Sequence, residues 1–276
     1  MVRYQIILAY DGSLFKGFQR QAKARSVQGE LETALRRLNW QGRAILAAGR
    51  TDTGAHASGQ VIAFDLDWPH PIAELQQALN GLLPGDIAVQ SIRMVNPGFH
   101  PRYHATWRRY RYQIYCQPVR QPLLDRFAWQ VWPAADLYRL QEAASLLIGT
   151  HDFAAFGTPP RPASSTVRTV FQAEWWEEAP HLVFEITAQA FLYHMVRRLV
   201  HMQVQVGQGR LATEAINQVL QLPQVQPGKS NLLNHGLAPA CGLTLVEVGY
   251  PPDIYAVDED LVVNKISDDP DPSPEL

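Results

Sequence analysis

Gly49-Arg50-Thr51-Asp52-Thr53-Gly54-Ala55-His56-Ala57 is the stretch on which the reading of this 276-residue chain turns. It is polar, with two glycines and one carboxylate, and it stands between two β-rich apolar runs. Ala44-Ile45-Leu46-Ala47-Ala48 precedes it and Gly59-Gln60-Val61-Ile62-Ala63-Phe64-Asp65-Leu66 follows. A short polar loop tied to a strand at each end is a rigid mount for a reactive side chain. Asp52, flanked by Arg50 and His56, is the residue such a loop would present. A plainer reading is turn chemistry, with the Asp52 carboxylate bonding its own backbone and Gly54 supplying a positive φ. Asp52-Thr53-Gly54 also matches the short aspartic-protease signature. That chemistry needs two carboxylates sharing one proton, so a homodimer would have to supply the second copy.

Outward from this loop the first half reads β-α-β-β-α-β. Val2 to Tyr10 alternates as a strand, and a basic loop with two exposed-looking aromatics, Phe15 and Phe18, follows to Arg25. Ser26 caps a helix whose apolar face is Val27, Leu31, Ala34, Leu35 and Leu38. After the two strands around Asp52, Pro71 opens a helix on Ile72, Leu75, Leu79 and Leu82, and residues 86–92 form the last strand. This is a split βαβ unit.

The second half repeats the order with additions. Strands are expected at 105–116, 127–132, 166–177 and 181–189, and helices at about 136–148, 191–206 and 212–222. A mobile loop is expected at 157–165, and a final strand at 242–249 that closes the sheet. The expected fold is α+β, two similar β-α-β-β-α-β (ferredoxin/RNP-like) halves forming an extended antiparallel sheet. Helices lie on one side, and the free sheet faces line a central cleft, which the chain's basic stretches would make RNA-binding. The domains are 1–104, which carries the Asp52 loop, 105–252, and a disordered acidic tail at 253–276.

The tail explains the charge. Residues 258–276 hold seven acids against Lys265, a balance of −6, which leaves +4 on residues 1–257 of the overall −2. Such a composition resists packing. The two cysteines, Cys116 and Cys241, make no metal or redox pair. No signal peptide opens the chain and no apolar run reaches membrane-spanning length, so a soluble, cytoplasmic protein is expected. There is no P-loop, dinucleotide fingerprint or metal-ligand spacing, hence no expected cofactor or metal.

Positive charge gathers at His100-Pro101-Arg102-Tyr103-His104-Ala105-Thr106-Trp107-Arg108-Arg109-Tyr110-Arg111-Tyr112. On a strand, Arg108, Tyr110 and Tyr112 share one face, and Trp107, Arg109 and Arg111 the other. Arginines suit phosphates, and rings suit bases at about 1–3 kcal/mol per stack. The alternative is ordinary cross-strand pairing, but few acids lie nearby in sequence, which favours RNA contact. A second basic stripe, His194, Arg197, Arg198 and His201, runs beside the apolar Leu192, Met195, Val196 and Leu199. It is either a solvated face or the source of an arginine for Asp52. An arginine partner would lower an aspartate pKa by ~1–3 units.

Four separated motifs together resemble the TruA family of tRNA pseudouridine synthases. They are Tyr10-Asp11-Gly12-Ser13 with Gly17-Phe18-Gln19-Arg20-Gln21, the Asp52 loop, Phe99-His100 through Tyr112, and Phe191 with His194-Met195-Val196-Arg197. Leu83-Pro84-Gly85-Asp86-Ile87-Ala88 and Gly242-Leu243 extend the likeness over roughly residues 3–252. It implies isomerisation of uridine to pseudouridine at nucleotides 38, 39 and 40 of the tRNA anticodon arm, by a homodimer. Asp52 matches the family's catalytic aspartate, Tyr110 the tyrosine that stacks on uracil, and Arg197 the basic partner of the aspartate. Arg50 matches the arginine that helps extrude the base, and Leu243 an apolar residue beside the pocket. His56, Arg108, Arg109, Arg20 and Lys16 complete the expected RNA contacts. Phe18 stands where the family usually has Trp, and Ala55 where Val is common. Two alternatives share these features: a synthase of the same fold acting on other RNA positions, and a non-catalytic tRNA-binding protein.

Overall fold

The structure, a computed structural model, describes residues 1–159, 164–221 and 236–255. The first half runs β1 (Val2–Tyr10), α1 (Val27–Arg37), β2 (Leu46–Ala47), β3 (His56–Leu66), α2 (Ile72–Leu82) and β4 (Ile87–Met94). Ser26 Oγ accepts from the Gly29 N–H at the start of α1, the expected cap, and Val27, Leu31, Ala34 and Leu35 are buried. The second half runs β5 (Trp107–Tyr115), β6 (Trp129–Gln130), α3 (Leu137–Ser145), β7 (Gly149–Asp152), β8 (Val167–Glu178) and β9 (His181–Ala188). It ends with α4 (Met195–Gly207), α5 (Glu214–Leu220) and β10 (Leu243–Gly249). The fold is α+β, and among the described residues no helix is long and apolar enough to cross a membrane.

Ten strands make one sheet in the order β4-β1-β3-β10-β5-β9-β8-β7, with β2 on β3 and β6 on β5. Pairing is antiparallel except β10 on β3 and β6 on β5. Two cores flank the middle of the sheet. One gathers Tyr4, Ile6, Leu8, Leu31, Leu35, Leu75 and Leu79. The other gathers Tyr112, Leu140, Phe153, Trp175, Phe184, Leu199 and Ile216. The last strand feeds both, Leu245 packing in the first and Leu243 in the second.

β10 closes the sheet by joining its two halves at the centre, hydrogen-bonded to β3 on one side and β5 on the other, because strand pairing is set by non-local packing. The strand expected at 44–48 shrinks to two residues, and β7, whose Gly-Thr-His-Asp carries no apolar alternation, was not foreseen. The helix expected from 191 begins at Met195, because His194 adopts a left-handed backbone at φ 66°. Phe15 and Phe18 are buried rather than exposed. Gly17, at φ 92°, folds the basic loop back on itself, and the Arg25 guanidinium lies 4.2 Å from the centre of the Phe15 ring. Residues 160–163 of the expected mobile loop, residue 222 of the last expected helix and residues 256–276 of the acidic tail lie outside the described residues.

Candidate active site

The loop carrying Asp52 is held from several sides. The Tyr10 and Thr51 hydroxyls share a buried hydrogen bond at 2.8 Å, and Gln60 Nε2 donates to the Gly49 carbonyl at 3.2 Å. From the basic loop, the Phe18 N–H donates to the Thr51 carbonyl, and the Gly54 N–H donates to the Phe15 carbonyl. Gly54 has the expected positive φ, 80°. A side chain at Gly17 would put its Cβ 3.0 Å from the Thr51 carbonyl oxygen, so this close approach calls for glycine. The Asp52 carboxylate, in contrast, is not spent on its own turn.

Asp52 Oδ2 accepts from Arg197 Nη1 at 2.6 Å, across 145 residues of sequence. The arginine comes from the first turn of α4, and its Nε donates to the Ala238 carbonyl at 2.7 Å, which fixes the plane of the guanidinium. The two side chains are only 12% and 15% exposed, so the pair sits in a partly dry position where its attraction is strong. A carboxylate held by arginine is unlike the proton-sharing dyad of an aspartic protease. His194 Nε2 lies 3.4 Å from the same oxygen.

Tyr110 stands on β5 where the two cores meet, its ring edge-on to Phe191 at 5.0 Å and 86°. Burial pushes its hydroxyl up to about 12, with Arg108 pulling the value down and Asp52 pushing it up. A Cβ built on Gly49 would be 4.0 Å from that hydroxyl, so the loop glycine leaves room beside the ring. Leu243 is buried at the start of β10, opposite Tyr112. Arg50 and Lys16 are exposed, and among the described residues neither makes an ion pair. These groups gather on the core-bearing side of the central strands, where α4 delivers Arg197, rather than on the bare sheet face expected to line the cleft.

Other expected contacts are engaged within the protein. His56 is buried: the Gly12 N–H donates to its Nδ1 at 3.0 Å, and Nε2 lies 3.1 Å from the Cys241 carbonyl. Its ring packs on Phe127 at 4.9 Å, and burial lowers its pKa, partly opposed by Asp11. Asp11 in turn pairs with Arg126, so this cluster ties the two halves together. Arg20 pairs with the fully buried Glu32, a structural anchor for the basic loop. Arg108 donates to the Gln189 carbonyl at 3.0 Å and the Arg102 carbonyl at 2.8 Å. β5 does meet counter-charge, contrary to expectation. Glu185 on β9 receives Arg111 at 3.1 Å and Arg109 at 3.7 Å, and Glu247 on β10 lies 3.5 Å from Arg109. The basic stripe of 194–201 is no solvated face either, since His201 stacks on Trp129. His194 was visible in that stripe, but its contact with Asp52 depends on a backbone turn that helical periodicity conceals.

The sequence profile of the tRNA pseudouridine synthase family matches residues 6–104 and 143–251. The tRNA pseudouridine synthase A of Syntrophotalea carbinolica is 38% identical over 248 residues, covering 90% of this chain and 96% of that protein. The proteins of that name from Chloroflexus aurantiacus and Moorella thermoacetica are each 40% identical. They cover 90% and 89% of this chain, and 88% and 98% of their own lengths. A solved Cbf5-Nop10-Gar1 complex aligns with 73% of this chain and 45% of its own at 11% identity and a TM-score of 0.32, a likeness on which nothing rests. On the strength of the profile and the relatives, the chain belongs to the tRNA pseudouridine synthase family.

Proposed function

We propose that this protein isomerises uridine to pseudouridine in tRNA, with Asp52 as its catalytic carboxylate. The observation that carries the reading is the 2.6 Å contact between Asp52 Oδ2 and Arg197 Nη1, with the Tyr110 hydroxyl close enough to feel the Asp52 charge. In the reaction the N1–C1′ bond breaks with its electron pair going to N1. The uracil turns, C5 bonds to C1′, and N1 gains a proton as C5 loses one. Atoms and oxidation state are conserved, so the chemistry requires neither redox partner nor phosphoryl donor. One carboxylate serves as nucleophile at the sugar, as nucleophile at the base, or as the base that removes a sugar proton. Arg197 would hold that carboxylate still, and Tyr110 would stack on the loosened uracil. A partly dry pocket keeps water from the cationic sugar.

Everting the uridine costs a few kcal/mol of stacking and pairing. Lys16 and Arg50, exposed on the two loops that bracket Asp52, are the cations best placed to offset it through the RNA backbone. Leu243 would wall the pocket from β10. Residues 1–104 and 105–252 would close on the RNA as two halves. By the resemblance to the TruA family, the target is nucleotides 38, 39 and 40 of the anticodon arm, the working form a homodimer, and the location the cytoplasm.

The test is tritium release from tRNA labelled at uracil C5, with pseudouridine then mapped along the product. The expected result is stoichiometric release with the modification in the anticodon arm. Binding of tRNA without release would make the protein a silent binder, and pseudouridine elsewhere in the RNA would overturn the assigned positions.

A further inference from the structure

Two non-glycine residues among those described have a positive φ, Asn39 and His194. Asn39 follows a helix, where a left-handed residue is the usual way to end one. His194 directly precedes α4, where an extended cap residue is the norm, and its side chain makes no capping bond. Such a backbone persists only where its surroundings enforce it. The enforcement is visible on both sides. Tyr193 and Thr158 exchange backbone hydrogen bonds at 3.0 and 3.3 Å, and the His194 carbonyl accepts from the Arg198 N–H at 3.1 Å. The Tyr193 ring lies on the imidazole with centroids 3.7 Å apart. The outcome is an imidazole whose Nε2 stands 3.4 Å from Asp52 Oδ2, the oxygen already held by Arg197. Among the described residues no donor reaches Oδ1.

We propose that His194 is a positioning residue for Asp52: its imidazole, donating from Nε2, shares Oδ2 with Arg197 and so turns Oδ1 toward the uridine. The inference rests on the proposed isomerase reading and adds a residue to it. Arg197 holds Oδ2 through a single contact, which tolerates bending and stretching. A second donor on the same oxygen narrows the orientations open to the carboxylate. Misplacing a reacting group by 1 Å can cost about 100-fold in rate, so a second tether is worth having. The contact is long for a hydrogen bond, as catalytic contacts often are before substrate closes on them.

The charge state matters to the same role. Burial lowers the imidazole's pKa, Asp52 opposes this, and Arg197 and Arg198 add to it. Among the described residues these three are the charged groups facing it, from the Asp52 loop and from α4. The balance is downward, which favours the uncharged ring. Protonation would set a second full positive charge against Oδ2 and make the carboxylate a weaker nucleophile and base. The rate should thus fall as pH drops through the imidazole's pKa.

His194→Gly tests this without a folding penalty, since glycine adopts the left-handed backbone freely. The expected result is an unchanged or higher melting temperature, kcat for tritium release down about tenfold, and KM within twofold. The acid-side inflection of the wild-type profile should disappear, and millimolar imidazole should restore part of the rate. His194→Gln, which keeps an N–H donor but cannot titrate, should retain more activity than the glycine variant and lack the same inflection. Wild-type kcat and pH profile in both variants would overturn the proposal, as would a loss confined to KM. A readout independent of turnover is the NMR titration of the His194 ring. Its pKa should fall further in Asp52→Asn, which removes the opposing carboxylate, and an unmoved pKa would overturn the contact. Failure of the isomerase reading would instead show as no tritium release from the wild-type protein.

Discussion

Two arginine–carboxylate contacts in this molecule look alike on paper and differ in what they can do. Arg111 and Glu185 face each other across β5 and β9, in a ladder shared with Arg109 and Glu247. Arg197 and Asp52 meet from separate halves of the chain, at the junction of two cores. The first pair sits on regular strands. Its carboxylate is 11% exposed, as buried as that of Asp52, but Arg111 is 38% exposed and a second arginine shares the acid, so solvent and neighbouring charges share its work. In the second pair both partners are shielded, at 12% and 15% exposure, and the contact ends on one oxygen of a carboxylate whose charge the Tyr110 hydroxyl feels. An arginine's type and even its strand say little about its task. The counter-charge it meets, and how dry the meeting place is, decide whether the pair serves cohesion or chemistry.

The comparison breaks most readily at Arg197. Arg197→Met should lower single-turnover tritium release by on the order of 100-fold. It should also destabilise the protein by about 3 kcal/mol in urea unfolding, because a partly buried carboxylate loses its partner. Equal activity with lost stability would move this pair into the same class as Arg111–Glu185. Tyr110→Ala should lose roughly tenfold to a hundredfold in kcat/KM, the value of one base stack. Tyr110→Phe should keep tRNA affinity, with any fall in kcat measuring the hydroxyl's part in proton handling.

Glu185→Gln sharpens the other side. Unfolding should become easier by about 2 kcal/mol, since Glu185 is buried between two arginines, and tritium release should stay within twofold of wild type. A larger kinetic effect would mean that the β5 ladder contacts RNA. The smallest effect is at alkaline pH. Tyr110 is held up to about 12 in the fold against 10.0 as the ordinary value, so the unfolded chain releases its proton first. Stability should therefore fall as pH rises from 10 toward 12. Tyr110→Phe should make that fall shallower, and not abolish it, because burial also raises Tyr10 and Tyr112.

Local patterns in the sequence were readable where local physics decides. The Ser26 cap, the apolar faces of the first three helices and the positive φ at Gly54 all depend on residues within a turn or two. The β-α-β-β-α-β order of the first half follows from the same kind of signal. What escaped was non-local. β10 took the centre of the sheet because its apolar residues fill both cores, which no window of sequence contains. Glu185 and Glu247 lie 74 and 138 positions beyond the arginines they meet, so β5 looked uncompensated. His56 read as a loop histidine open to RNA, yet its ring joins Gly12 to Cys241 under Phe127. His194 read as one member of a helical stripe, and its left-handed backbone moved it out of the helix and onto Asp52.

If the Asp52 carboxylate, clasped by a guanidinium from the other half, does the chemistry, removing its charge alone should stop the reaction. Asp52→Asn keeps the loop's shape and its hydrogen-bonding side chain while removing the charge. Mixed with saturating C5-tritiated tRNA, it should bind as wild type does and release no tritium above background. Release at the wild-type rate would contradict the account.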